Sequence, residues 1–254
     1  MDKKIGAQLY TLRSLLQTPE DVYSTFKKVK EIGYKTVQVS GIPMEISPQD
    51  IKAAADENDL ELICTHYPAD RFLADLDEAI NYHKILGVNY AGIGSMPGFK
   101  ADFDGLGKFL SDFNKVAEEL KKEGIAFTYH NHAFEFNKKD GKFFLDYIVE
   151  NTDDNFKIMA DTYWIAIGGV DPAKYLKKLG SRVETVHFKD LGMDGNNATM
   201  YEVGEGNLCW DEIISVCEEI GTKYAFVEQD ACLGGDPLKS MEISYNYLTK
   251  KGFC

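Results

Sequence analysis

Little in this chain of 254 residues would staple, export or embed it. Its five cysteines (Cys64, Cys209, Cys217, Cys232 and Cys254) are scattered and form no CxxC pair. That pattern excludes a disulfide framework and a cysteine zinc site, and it reads as a reduced, cytoplasmic setting with buried structural thiols. No window approaches the roughly 18 apolar residues that a membrane span needs. The opening MDKKIGAQLYTLR has no apolar secretion core and no small-residue cleavage site. Positive charge is scarce, with 28 Lys and Arg against 41 Asp and Glu for a net −13. So acidic a surface repels phosphate backbones and anionic lipid, which argues against nucleic acid and membranes as partners. Pro/Ser-rich linkers and low-complexity tracts are also missing, so residues 1–254 read as a single domain.

What is present is a regular alternation. Eight short apolar runs have strand length and strand composition: IGAQLY (5–10), KTVQVS (35–40), LELICTH (60–66), VNYAGIG (88–94), IAFTYH (125–130), FKIMAD (156–161), VETVHF (183–188) and KYAFVEQ (223–229). Amphipathic stretches separate them. The first, 19–32, carries Val22, Phe26 and Val29 at helical spacing and stops at Gly33. The second, 48–58, opens with Ser47-Pro48, an N-cap followed by proline at the first helical position. Residues 72–86, 104–123, 143–151, 172–179, 210–220 and 237–249 complete the helical set.

Strand and helix repeated eight times imply parallel strands joined by crossover helices. Eight such units in about 250 residues match a closed (β/α)₈ TIM barrel of class α/β. The rival, a doubly wound open sheet, usually carries a glycine-rich phosphate loop after its first strand. Here Tyr10-Thr11-Leu12-Arg13 follows, with no glycine.

A barrel of this kind places its active site at the C-terminal strand ends. Those ends carry Gln8, Tyr10 and Arg13; Gln38 and Ser40; His66; Gly94 and Ser95; His130, Asn131 and His132 with Glu135 beyond; Asp161; His187, Lys189 and Asp190; and Glu228, Gln229 and Asp230. Four of the five histidines fall there, while His83 lies in a helix and reads as a surface or packing residue. Asp161, His187 and Glu228 close three consecutive strands. Two carboxylates and an imidazole at one point oppose one another unless a cation joins them. One divalent ion is therefore expected, with Mn²⁺ first and Mg²⁺, Co²⁺ or Zn²⁺ as alternatives. Strand five would add a fourth ligand from Glu135, His130 or His132, with Glu135 ranked first as a hard oxygen that doubles as a proton-transfer group.

The segments QLYTLR (8–13), CTHYP (64–68), YHNHAFEF (129–136), ADTYWIAIGGVDP (160–172), VHFKD (186–190), VGEGNLCW (203–210) and FVEQD (226–230) together resemble the xylose-isomerase-like barrel superfamily. Within it they are similar to the sugar phosphate isomerase/epimerase branch, which is related to inosose dehydratase. The resemblance implies a metal held by Glu135, Asp161, His187 and Glu228. Two departures stand out. Many members carry a glutamate within strand five, where this chain has Tyr129-His130, and strand two often ends in glutamate, where this chain has Gln38.

The resemblance also implies a reaction: proton abstraction beside a carbonyl through a metal-bound enediolate, giving isomerisation or epimerisation of a small carbohydrate, polyol or sugar phosphate. Glu228 or Glu135 would remove the proton. Lys189 would steady the enediolate or donate a proton, or else pair with Asp190 as structure. His66, His130 and His132 are expected to meet substrate, with His66 alternatively supporting the ligands. Trp164 and Tyr163 would stack on a sugar face or simply pack. Arg13 would meet a carboxylate or phosphate, or remain solvated. The run Leu233-Gly234-Gly235-Asp236-Pro237 would bind phosphate at a helix start or serve as a turn. The alternative on the same scaffold is a lyase, either a dehydratase of a keto-polyol or an enzyme eliminating from a 3-keto sugar. A DNA-repair endonuclease would need more histidines and a basic face, which the −13 charge opposes. A non-catalytic sugar-binding barrel and a homo-oligomer are both compatible with the sequence.

Overall fold

A computed structural model describes residues 4–254. Eight parallel strands, β1 (Ile5–Gln8), β2 (Thr36–Val39), β3 (Glu61–Thr65), β4 (Tyr90–Ile93), β5 (Ala126–His130), β6 (Phe156–Asp161), β7 (Thr185–Phe188) and β8 (Tyr224–Val227), follow one another around a closed barrel in chain order. β1 closes the ring by pairing with β8, Ile5 opposite Ala225 and Ala7 opposite Val227. Ten α-helices wrap the described barrel: α1 (Pro19–Ile32), α2 (Pro48–Glu57), α3 (Ala69–Ala74), α4 (Leu76–Leu86), α5 (Leu106–Lys122), α6 (Phe144–Glu150), α7 (Thr162–Ile167), α8 (Pro172–Leu179), α9 (Trp210–Glu219) and α10 (Pro237–Lys250). None is long and apolar enough to cross a membrane.

The helix starts follow the sequence signals. Thr18, Ser47, Asp171 and Asp236 accept backbone N–H bonds at the heads of α1, α2, α8 and α10, each ahead of a proline. Gly33 ends α1 at φ +124, and a Cβ there would lie 2.4 Å from the Tyr245 hydroxyl. Most apolar side chains sit between strands and helices, among them Phe26, Phe113, Phe127 and Phe156. A second cluster of Ile63, Cys64, Tyr90, Met159 and Phe226 packs separately. Gly6 makes room for that packing, since a Cβ on it would meet the Phe226 ring at 2.3 Å.

Some boundaries differ from the sequence reading. The expected first strand ends early, because the Gln8 side chain accepts from the Tyr10 amide and the chain turns into a 3₁₀ segment, Leu9–Leu15. The expected helix over 72–86 is two helices. Asp75, in extended conformation, ends α3 and caps α4 by accepting from Glu78 N at 2.9 Å. The sequence pattern does not mark α7 or two hairpins that pair 138–139 with 142–143 and 190–194 with 197–201. His83 is fully buried. Its ring meets the Thr65 hydroxyl at 2.8 Å and the Ala79 carbonyl at 2.6 Å, and burial pulls its pKa down to about 4. It packs, and the surface alternative falls away.

Candidate active site

β5, β6, β7 and β8 each deliver one side chain to a common point. His130 ends β5, Asp161 ends β6, His187 lies in β7, and Glu228 follows β8. One nitrogen or oxygen from each falls within 4.8 Å of the other three, and all four residues are buried. His187 Nδ1 lies 2.9 Å from Glu228 Oε2 and 3.6 Å from Asp161 Oδ2. His130 Nε2 lies 3.3 Å from Asp161 Oδ2 and 4.0 Å from Glu228 Oε2.

The proton positions follow from what lies behind each ring. His130 Nδ1 faces the Gly94 carbonyl at 2.9 Å. A carbonyl only accepts, so Nδ1 donates and Nε2 presents a lone pair. The Gln38 amide nitrogen donates to Met159 Sδ at 3.3 Å, which leaves Gln38 Oε1 to accept from His187 Nε2 at 2.7 Å. His187 Nδ1 then faces the carboxylates, 2.9 Å from Glu228 Oε2, where it carries a proton when no metal is bound and would offer its lone pair to one. Two ring nitrogens and two carboxylate oxygens facing one another need a proton or a metal cation between them, and outer-side hydrogen bonds of this kind orient metal-ligating imidazoles.

Asp161 and Glu228 are themselves held from behind. Asp161 Oδ1 caps α7 by accepting from Trp164 N at 2.9 Å, and Asn131 Oδ1 receives its backbone N–H at 3.1 Å. Glu228 Oε1 accepts from Gln8 Nε2 at 2.6 Å, leaving Oε2 for the cluster. Burial opposes charge on Asp161, yet Lys189 and the two imidazoles hold its carboxyl well below the usual range. Burial likewise opposes charge on His187, but Glu228 and Asp161 outweigh it and keep the pKa up at about 9. This spot draws positive charge.

A lysine at the centre would remove the need for a metal. Lys189 stands beside the cluster, with Nζ 2.6 Å from Asp230 Oδ2, 3.4 Å from Glu228 Oε2 and 3.7 Å from Asp161 Oδ2. Asp230 is its nearest partner. Three carboxylates against one ammonium leave two negative charges once His187 gives up its extra proton, and a divalent ion matches them. The donor set therefore fits a divalent cation bound by His130, Asp161, His187 and Glu228.

Above the cluster opens a cleft of about 750 Å³. His66, His132, Trp164, Glu228 and Asp230 form its polar end. The His66 ring lies 5.1 Å from His130 and 5.5 Å from His187. Burial, then His130 and His187, push its pKa well down, so it is neutral. Burial and His130 hold His132 neutral as well, with a pKa of about 3. His66 Nε2, His132 Nδ1 and Trp164 Nε1 are all buried without a partner.

A model of the family described as xylose isomerase-like TIM barrel matches residues 26–249. The chain belongs to that family. No curated protein sequence matches this one significantly. Among solved structures, a sugar phosphate isomerase/epimerase from Parabacteroides distasonis superposes with TM-score 0.81 at 25% identity, covering 100% of this chain and 96% of that one. D-allulose 3-epimerase from Methylomonas sp. superposes with TM-score 0.74 at 15% identity, covering 98% and 97%. A probable 3-DHS dehydratase from Bacillus anthracis gives TM-score 0.74 at 15% identity, covering 97% and 98%. At 15% identity these last two share the barrel with this family member.

The structure brings His130, and not Glu135, into the cluster. Glu135 lies outside the cluster, fully buried, with Oε1 accepting from Tyr129 OH at 2.6 Å and Oε2 from His132 N at 2.8 Å. Both oxygens are engaged by neighbours, and Glu135 does not line the cleft. The four residues between His130 and Glu135 lead into a 3₁₀ segment, Phe134–Phe136, and His130, expected at the substrate or as the alternative fourth ligand, joins the cluster. Arg13 is also placed elsewhere. Its guanidinium donates to the carbonyls of Tyr10 at 2.8 Å and Asp230 at 3.0 Å, stacks on Tyr10 and does not line the cleft. The glycine run is a turn, since Asp236 accepts from Leu238 N and Lys239 N and so fills the start of α10 in place of a phosphate. Asp190 does not pair with Lys189. It accepts from Leu191 N, Gly204 N, Gly206 N, Leu208 N and Trp210 Nε1. This explains the VGEGNLCW segment, in which a Cβ on Gly206 would meet Asp190 Oδ1 at 2.4 Å.

Gln8, Gln38 and Asp230 were visible at strand ends, but nothing in the sequence told which atom each would hold. Their common signal was a polar side chain in an otherwise apolar strand end.

Proposed function

We propose that this chain is a metal-dependent enzyme that moves a proton beside the carbonyl of a small sugar or polyol, as an isomerase or epimerase. The observation that carries this reading is the set of four, with two ring nitrogens and two carboxylate oxygens aimed at one point under an open cleft. The ion held by His130, Asp161, His187 and Glu228 would polarise the substrate carbonyl and acidify the neighbouring C–H. Two nitrogens with two oxygens suit Mn²⁺, Co²⁺ or Zn²⁺ better than Mg²⁺, and Mn²⁺ remains our assignment.

Glu228 is the base in this reading. It borders the cleft, and Gln8 fixes the plane of its carboxylate. Lys189 would steady the oxyanion and return the proton. Burial opposes its charge, but Glu228, Asp161 and Asp230 together raise its pKa above the ordinary lysine value. The unpartnered nitrogens of His66, His132 and Trp164 would meet substrate hydroxyls, with the Trp164 face beneath a sugar ring. Proton return to the neighbouring carbon isomerises, and return to the opposite face epimerises. Loss of a leaving group one carbon further on would make the same first step a lyase reaction, and the dehydratase relative supports that alternative.

The test is metal analysis of the purified protein, followed by incubation in D₂O with a panel of keto sugars and inososes. One divalent ion per chain and deuterium beside the carbonyl are expected. Protein that binds no divalent ion, or that leaves every panel member unlabelled when loaded, ends the reading. Mass analysis of each labelled product separates isomers from eliminated species.

A further inference from the structure

The cleft has a second wall that the proton chemistry does not use. Tyr67, Leu73, Met96 and Phe99 line it, supplied by the segment after β3, by α3 and by the loop after β4, and the Phe99 ring stands edge-on to His132 at 5.6 Å. Leu73 is 48% exposed and Phe99 69% exposed. Large apolar side chains left open along one groove mark a place where another apolar group is buried. The groove is roomy, at about 750 Å³ against roughly 300 Å³ for the smallest ligand sites.

Charge narrows the occupant further. Among the described residues, no lysine or arginine lines the cleft, whereas Asp70, Glu228 and Asp230 do. Lys189 is fully buried and shared by three carboxylates. Arg13 gives its fork to two backbone carbonyls, and Asp236 fills the start of α10. A phosphate ester, carrying about −1.5 to −2 charges at neutral pH, would find carboxylates and no free cationic side chain.

We propose that the cleft selects an uncharged sugar or polyol carrying an apolar substituent, and that phosphorylated sugars are refused. The polyol ring takes the end formed by His66, His132 and Trp164, and the substituent lies on Tyr67, Leu73, Met96 and Phe99. This rests on the sugar reading of the site and adds to it the two specificity residues, Leu73 and Phe99.

The experiment is calorimetric titration of the purified, Mn²⁺-supplemented protein with four probes: 4-nitrophenyl β-D-glucopyranoside, methyl β-D-glucopyranoside, glucose 6-phosphate and 4-nitrophenol. The nitrophenyl glucoside is expected to bind about tenfold or more tighter than the methyl glucoside, the factor that burying one aromatic ring supplies. Glucose 6-phosphate is expected to bind weakest of the three sugars. Leu73→Ser should erase most of the nitrophenyl preference and leave methyl glucoside binding unchanged, Phe99→Ser, whose ring abuts His132, should erase the preference with a smaller loss of methyl glucoside binding, and both sites are exposed enough for the fold to survive. Equal binding of the two glucosides, or tightest binding of the phosphate, overturns the proposal while the sugar reading stands. Phe99-dependent binding of 4-nitrophenol with no glucoside bound keeps the apolar wall and sinks the sugar reading. No binding by any probe overturns both. If the two variants instead change the mass in solution with the preference intact, the wall is a contact between copies and the proposal fails.

Discussion

His187 donates its Nε2 proton to Gln38 Oε1 across 2.7 Å, and that bond decides which nitrogen faces Asp161 and Glu228. Gln38 is itself oriented by Met159 Sδ. The glutamine at the end of β2, a departure from the common glutamate, thus acts through an imidazole, and no acid–base role is needed for it. Gln38→Leu should lower Mn²⁺ affinity by about 10–100-fold, as losses of such supporting bonds do. Gln38→Glu, which keeps the acceptor, should restore most of it. Chelator competition reads both, and unchanged affinity in Gln38→Leu would remove the role.

The identity of the fourth ligand has a direct test. Alanine at His130, Asp161 or His187 should each leave the protein with under about a tenth of its metal after dialysis, since each loss removes one of four donors. Glu135→Gln should keep full occupancy, because its carboxylate already serves Tyr129 OH and His132 N. Metal analysis of the four variants side by side decides, and the assignment fails if Glu135→Gln alone is stripped.

Glu135 also predicts a pH effect on stability. Burial raises its pKa from 4.5 to about 7. Between those values the folded state holds a proton that the unfolded state has released, so stability falls as pH rises through this window. The change amounts to about 3 kcal/mol at 1.36 kcal/mol per unit. Urea unfolding of Glu135→Gln should lack this component, so the variant should gain on the wild type between about pH 4.5 and 7. Parallel pH profiles for the two proteins would refute it.

Lys189→Met should abolish deuterium exchange while the metal stays bound, because Lys189 is beside the four ligands and not among them. In the presence of chelator the variant should unfold about 3–5 kcal/mol more easily than the wild type, since the buried carboxylates then lose their ammonium. Loss of metal from Lys189→Met under loading conditions would contradict this placement.

Asp190→Asn and Asp190→Ala probe the segment beyond β7. One carboxylate collects four backbone N–H groups and the Trp210 indole N–H. Alanine should cost about 3–5 kcal/mol, because buried donors lose a charged acceptor. Asparagine, which keeps one acceptor oxygen, should cost less. Denaturation followed by Trp210 fluorescence measures the order, and equal stability of alanine variant and wild type would be the contrary result.

The sequence by itself determined the barrel and the neighbourhood of the site. Eight apolar runs alternating with capped helices allow few arrangements other than parallel strands with crossovers, and in that arrangement the polar strand ends converge. Asp161, His187 and Glu228 needed nothing more, since each lies within one residue of a strand's C-terminal end and its direction comes with the strand. Only the tertiary structure decided the rest. Glu135 and His130 lie in one short segment, and which of them reaches the cluster depends on a turn after β5 that no periodicity encodes. The orientation of His187 depends on Gln38, 149 positions away in sequence. The apolar wall joins Leu73 and Phe99 from two connecting segments, and such segments carry no repeat from which their meeting could be read. Local pattern fixes elements because hydrogen bonds and burial there involve near neighbours, whereas a site made of contacts between distant segments exists only once the chain has closed.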